Sequence, residues 1–211
     1  MKRGRRICLF GGTFDPIHTA HLQIAEAAET RMALDEILFV PAANPPHKDS
    51  TNLTAFEHRF RMVEIACRPY PAFVPSRLEE GAARSYTIST LERFRPQLEE
   101  GDDLYFLIGS DAFADLETWH RWQEVLKLAK FIVVSRPGET YRVPEGGNVV
   151  RLDGLDLPVA STTIRARIAS GEKTPELPDA VRRYIDENGL YRPMDGQLTA
   201  LPGRSIDQKL L

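Results

Sequence analysis

Two histidines three residues apart, His18 and His21, follow the run Gly11-Gly12-Thr13-Phe14-Asp15-Pro16, and this pattern suits phosphate chemistry. Residues at i and i+3 share a helix face, so the two imidazoles would point the same way. A helix starting near His18 would add its free N–H groups and positive dipole end, both of which favour an anion. Imidazoles there can donate hydrogen bonds to phosphoryl oxygens. The paired glycines let the backbone turn sharply and approach a ligand closely. Zinc ligation by the histidines would need a third ligand that the pattern does not supply. The run also differs from the Gly-x-Gly-x-x-Gly dinucleotide fingerprint, which disfavours ordinary redox use of NAD.

Other polar clusters carry weaker signals. Ser161-Thr162-Thr163-Ile164-Arg165 opens a helical stretch. Its hydroxyls suit a helix cap, and Arg165, one turn in, can grip phosphate oxygens in a planar fork. Gly109-Ser110-Asp111 follows an apolar run, where Asp111 can accept ribose hydroxyls or simply cap a helix. His47 and Lys48 sit beside Pro45-Pro46, in a loop whose charges can neutralise a phosphate or be merely solvated. Trp119, flanked by His120 and Arg121, lies in a polar stretch unlike the setting of a core tryptophan, whereas Trp122 reads as core.

The elements that must position these residues alternate between strand and helix. Strands are expected at Ile7–Phe10, Glu36–Val40, Phe73–Val74, Leu104–Ile108, Lys130–Ser135 and, more weakly, Val149–Leu152. Helical spacing marks about His18–Ala33, Phe56–Cys67, Thr87–Leu98, Thr162–Ala169 and Pro178–Asn188. Pro178 suits a first helical turn, and Gly189 the position past a helix end. This alternation implies βαβ units and a Rossmann-like, open doubly wound, mainly parallel α/β sheet with helices on both faces. Ligands of such sheets bind beyond the carboxyl ends of the strands, where the first, Gly109 and Arg136 clusters fall. One domain is expected over residues 1–192, with a poorly ordered tail over 193–211.

Composition narrows the classes further. The 211 residues carry a net charge of −3, which argues against a broad nucleic-acid surface while allowing a local basic pocket. Cys8 and Cys67 are too few for a disulfide framework and read as free thiols in a reducing compartment. The apolar run after the basic N-terminus stops at Phe10, short of a signal peptide, and no stretch reaches the ~18 apolar residues of a membrane span. A cytoplasmic, soluble protein is expected, with no membrane partner and with a homo-oligomer left open.

At Gly11–His21 the chain resembles the nucleotidyltransferase superfamily, whose signature is Gly-Gly-x-Phe-Asp-Pro-x-His-x-Gly-His, with Ala20 replacing the motif's glycine. Ser161, Thr162 and Arg165 match the superfamily's second motif, Ser-Ser-Thr-x-Ile-Arg, with Ala160 in place of its first serine. Over about residues 5–192 the chain is similar to bacterial nicotinate-nucleotide adenylyltransferases. The shared features are Pro45-Pro46-His47-Lys48, Ser85-Tyr86-Thr87, Ile108-Gly109-Ser110-Asp111, Trp119, Arg136-Pro137-Gly138 and Glu187-Asn188-Gly189-Leu190-Tyr191.

The resemblance implies transfer of AMP from ATP to nicotinate mononucleotide. It places His18, His21 and Arg165 in catalysis, and Gly11, Gly12, Thr13, Phe14, Gly109, Asp111, Arg136, Ser161 and Thr162 around ATP. His47, Lys48, Tyr86, Thr87 and Trp119 fall to the nicotinate nucleotide. Magnesium would ride on the ATP oxygens and water, without a dedicated carboxylate cage. The rival acceptors are phosphopantetheine and nicotinamide mononucleotide. A non-catalytic nucleotide sensor is the rival from another class, suggested by Ala20 and Ala160. A class I aminoacyl-tRNA synthetase is excluded because 211 residues leave no room for an anticodon-binding region.

Overall fold

The computed structural model describes residues 3–45, 53–135, 140–155 and 159–193. His47, Lys48, Arg136 and the expected tail from residue 194 lie outside them. Six parallel strands form one sheet: β1 (Arg6–Gly12), β2 (Glu36–Pro41), β3 (Phe73–Pro75), β4 (Asp103–Gly109), β5 (Lys130–Ser135) and β6 (Val149–Asp153). Their order is β3-β2-β1-β4-β5-β6.

The four inner strands carry unbroken apolar runs because both faces of the sheet are covered. Successive side chains still alternate between two cores. Cys8, Phe10, Ile37, Phe39, Tyr105, Leu107 and Ile132 face one side, while Ile7, Leu9, Leu38, Val40, Phe106, Phe131 and Val133 face the other. Helices α1 (Thr19–Met32), α2 (Phe56–Cys67), α6 (Ser161–Ala169) and α7 (Asp179–Glu187) bury Leu22, Met62, Ile164 and Val181 on the first side. On the second side, α3 (Thr87–Phe94), α4 (Ser110–Ala114) and α5 (Trp122–Leu128) bury Ile88, Phe113 and Val125. The doubly wound α/β expectation therefore holds.

Two local readings differ from the structure. Helix α3 stops at Phe94 and passes into a 3-10 turn, Arg95–Gln97, because Pro96 cannot donate the next helical hydrogen bond. Helices α4 and α5 went unread because five and seven residues are too short for helical periodicity to show.

The chain runs outward from β1 to β3, then crosses back to place β4 on the other side of β1. This reversal opens a crevice at the carboxyl ends of β1 and β4, where such sheets bind ligands. Gly11, Gly12 and Gly109 are the terminal residues of those two strands.

Candidate active site

The loop leaving β1 is held by its own buried groups. A side chain at position 12 would bring its Cβ to 2.8 Å from the Phe14 ring, so the strand must end there in glycine. Phe14 adopts φ 49° and buries its ring against Phe10, Phe39 and His21. Its side chain is thus a support beneath His21.

Asp15 is 2% exposed. It accepts Tyr191 O–H at 2.6 Å and Thr54 N–H at 3.3 Å. Arg165 donates to the Asp15 carbonyl at 2.7 Å, and Ser161 Oγ donates to the Pro16 carbonyl at 3.0 Å. The expectation that the hydroxyls cap α6 is corrected here. Ala160 is the N-cap and makes no side-chain cap, while the Ser161 hydroxyl is spent on the β1 loop.

His18 is the N-cap of α1, in extended conformation, and its N–H donates to His21 Nδ1 at 3.2 Å. His21 Nδ1 is therefore the unprotonated nitrogen, so a neutral His21 carries its proton on Nε2. The two rings stack with centroids 3.7 Å apart, close enough to disfavour charge on both at once. His18 is buried, and its Nδ1 has no hydrogen-bond partner among the described residues.

Burial pulls the His18 imidazole from its ordinary 6.5 down to about 4, against the weaker opposing pull of Glu176. Between those values the unfolded chain binds a proton that the folded chain refuses. Stability is therefore complete above 6.5 and is lost as pH falls through this window. His18 should cost the protein about 2 kcal/mol of stability between pH 7 and pH 5. Urea unfolding at both pH values checks this, and His18→Gln should flatten that part of the slope.

One cavity adjoins the start of α1, and a second lies beyond α4. The first, of about 310 Å³, brings together His18, His21, Gly109, Asp111 and Ser161. Its remaining wall, including Ile24, Ile108, Val134 and Leu155, is apolar and suits a flat base. Ala20 and Ala160 also line it, so both departures from the motifs fall on the same wall. Gly11, Gly12, Thr13, Thr162 and Arg165 are not among its lining residues.

The second cavity, of about 700 Å³, is lined by Tyr86, Thr87, Trp119 and His120 among others. Thr87 opens α3, so the first N–H groups of that helix, which lack helical acceptors, lie at this cavity. Trp119 also packs against the core. Helix α4 divides the two spaces, with Asp111 on the first and Ala112 and Asp115 on the second.

Arg59 was not read from the sequence as a site residue. It is 1% exposed and donates to the carbonyls of Thr13, Ala42 and Thr54. Its signal was a charge at apolar spacing, between Phe56 and Val63 on the buried face of α2. Among the described residues no helix is long and apolar enough to cross a membrane.

Comparison with known proteins agrees with the fold. Residues 9–167 match the cytidylyltransferase-like family model. A Solibacter usitatus protein named a probable nicotinate-nucleotide adenylyltransferase is 50% identical over 186 residues, spanning 88% of this chain and 99% of that relative. A Pseudomonas fluorescens protein of the same name is 40% identical, over 90% of this chain and 98% of its own. The fold matches the Plasmodium falciparum nicotinic acid mononucleotide adenylyltransferase complexed with NaAD, with TM-score 0.72, 21% identity, and coverage of 89% of this chain and 97% of that one.

Proposed function

The chain belongs to the cytidylyltransferase-like family, among the nicotinate-nucleotide adenylyltransferases, and on that premise we propose that it transfers AMP from ATP to nicotinate mononucleotide, giving deamido-NAD and pyrophosphate. One observation carries the reading: a phosphate-suited cavity at the sheet's switch point and an aromatic-walled cavity meet across the single short helix α4.

ATP takes the first cavity, its base against the apolar wall and its ribose hydroxyls on Asp111. The phosphates lie toward the α1 N-terminus, where His18 donates to an α-phosphoryl oxygen. We assign the His18 proton to Nε2 for this donation, its Nδ1 being buried with no partner among the described residues. His21 and Arg165 hold the remaining phosphates, and Arg136 is assigned to ATP with them. Magnesium enters with ATP as part of the substrate, and Asp111 is the one carboxylate among the described residues lining this cavity.

Nicotinate mononucleotide takes the second cavity. Its carboxylate meets the N–H groups at the start of α3, near Tyr86 and Thr87, and its ring lies on Trp119. His47 and Lys48 neutralise its phosphate. A buried N–H left unpaired by the neutral amide would penalise nicotinamide mononucleotide. Base-type stacking contributes ~1–3 kcal/mol, so Trp119→Ala should weaken acceptor binding about 10- to 100-fold while leaving ATP binding unchanged. Titrating the variant with each substrate checks this.

The acceptor's 5′-phosphate oxygen attacks the α-phosphorus in line. The bond from that phosphorus to the bridging oxygen breaks, and pyrophosphate leaves. The nucleophile is already ionised at neutral pH and needs no general base, so rate comes from positioning and from donors to the developing charge. We place the protein in the cytoplasm, with its substrates.

Pyrophosphate release from ATP and magnesium, measured with nicotinate mononucleotide, nicotinamide mononucleotide and phosphopantetheine in turn, tests the reading. Nicotinate mononucleotide should be the preferred acceptor, and preference for either of the others would overturn the assignment. ATP binding without release under any condition would favour a sensor.

A further inference from the structure

We propose that Arg59 is a positioning residue that ties the loop after β2 to the loop after β1, and thereby sets the acceptor side of the site. The side chain crosses from α2 and is buried completely. Its Nη1 donates to the Thr13 carbonyl at 2.8 Å and to the Ala42 carbonyl at 2.7 Å, and its Nε donates to the Thr54 carbonyl at 2.8 Å. Thr13 belongs to the nucleotide loop, whereas Ala42 and Thr54 are the two feet of the stretch between β2 and α2. One guanidinium therefore joins three segments at one point, using the planar fork that lysine lacks.

A helix core position has little use for such a group unless the carbonyls need it, because burying a charge is costly. Asp15 supplies opposite charge to Arg59 and also accepts the Thr54 N–H, so the Thr54 residue is held through both its carbonyl and its amide.

The two loops do not depend on Arg59 equally. The β1 loop keeps its bonds from Arg165, Ser161 and Tyr191 without it. The β2 loop keeps Ala42 N–H to the Gly12 carbonyl, the Asn44 and Ser85 contacts, and Thr54 N–H to Asp15. It would lose both carbonyl anchors at its feet. Loss of the fork should therefore fall on the acceptor rather than on ATP, an assignment that rests on the function proposed above.

Arg59→Lys tests this in two ways. Hydrogen exchange without substrate should show the amides of Ala42, Asn44 and Thr54 exchanging at least ~10-fold faster, with the amides of α1 unchanged. Steady-state kinetics should show KM for nicotinate mononucleotide raised about tenfold, with KM for ATP within about twofold. Unchanged exchange at the three amides overturns the proposal, as does a fall in kcat with both KM values intact, which is the mark of a merely structural residue. Should the variant not fold, native-state exchange on the wild-type protein decides. Ala42 and Thr54 should open together with one urea dependence, and independent opening overturns the tether. The exchange readout holds whatever the acceptor is, while wild-type turnover of nicotinate mononucleotide judges the functional reading separately.

Discussion

Replacing His18 by alanine should lower kcat by about 10²–10³, the usual cost of one preorganised donor, while leaving the melting temperature equal to or above that of the wild type. The combination follows from how the residue is held. The His18 carbonyl accepts the His21 N–H at 3.0 Å and the His18 N–H donates to His21 Nδ1, two backbone contributions at the helix start that alanine keeps. The His18 Nδ1 is buried without a partner among the described residues, a penalty of ~1–3 kcal/mol that the substitution removes. What alanine cannot supply is an N–H facing the α-phosphate. A residue kept at a cost to stability in the free protein is explained by what it does when the substrate arrives. Single-turnover kinetics with thermal unfolding checks both halves. Wild-type turnover would remove His18 from catalysis, and a matching loss of stability would make it structural.

Asp15→Ala should have the opposite signature, a destabilisation of ~3–5 kcal/mol, because two hydrogen bonds to a buried carboxylate are lost and their donors are left unpaired. For a chain of this size that lowers Tm by on the order of 10 °C. The carboxylate is 2% exposed, anchors Tyr191 and Thr54, and lends negative charge to the surroundings of Arg59. Removing it leaves the Tyr191 hydroxyl and the Thr54 N–H without this acceptor. Burial and the neighbouring Asp15 push the Tyr191 hydroxyl well above its ordinary range, so it remains a donor at any working pH. Asp15→Asn keeps an acceptor oxygen but not the charge, so its smaller loss in urea unfolding measures the electrostatic share.

These residues also show what the sequence could convey. Lys130–Ser135 and Phe56–Cys67 are found with the bounds expected, because an unbroken apolar run and a strong 3.6-residue pattern are local signals. His18 and His21 were legible for the same reason, since spacing along one short segment sets their shared face. Their stacking and the burial of His18 were not legible, because both depend on the packing around Phe14.

Tyr191 belonged to a recognisable string without any role. Its bond to Asp15 spans 176 residues and exists only once the sheet and α7 bring these two segments together. Ser161 read as a cap because hydroxyls at helix starts often are one. The structure spends it instead on a carbonyl 145 residues away. Arg59 stood in plain sight as a charge within an apolar stripe, yet its meaning required knowing which three carbonyls converge there.

The most direct test of the central claim follows the phosphorus. Incubation with magnesium, nicotinate mononucleotide and ATP radiolabelled at the α-phosphate should move the label into deamido-NAD, whereas label at the γ-phosphate should appear in pyrophosphate. Alpha label that stays in ATP, or passes to another product while nicotinate mononucleotide is recovered unchanged, would contradict adenylyl transfer to that acceptor.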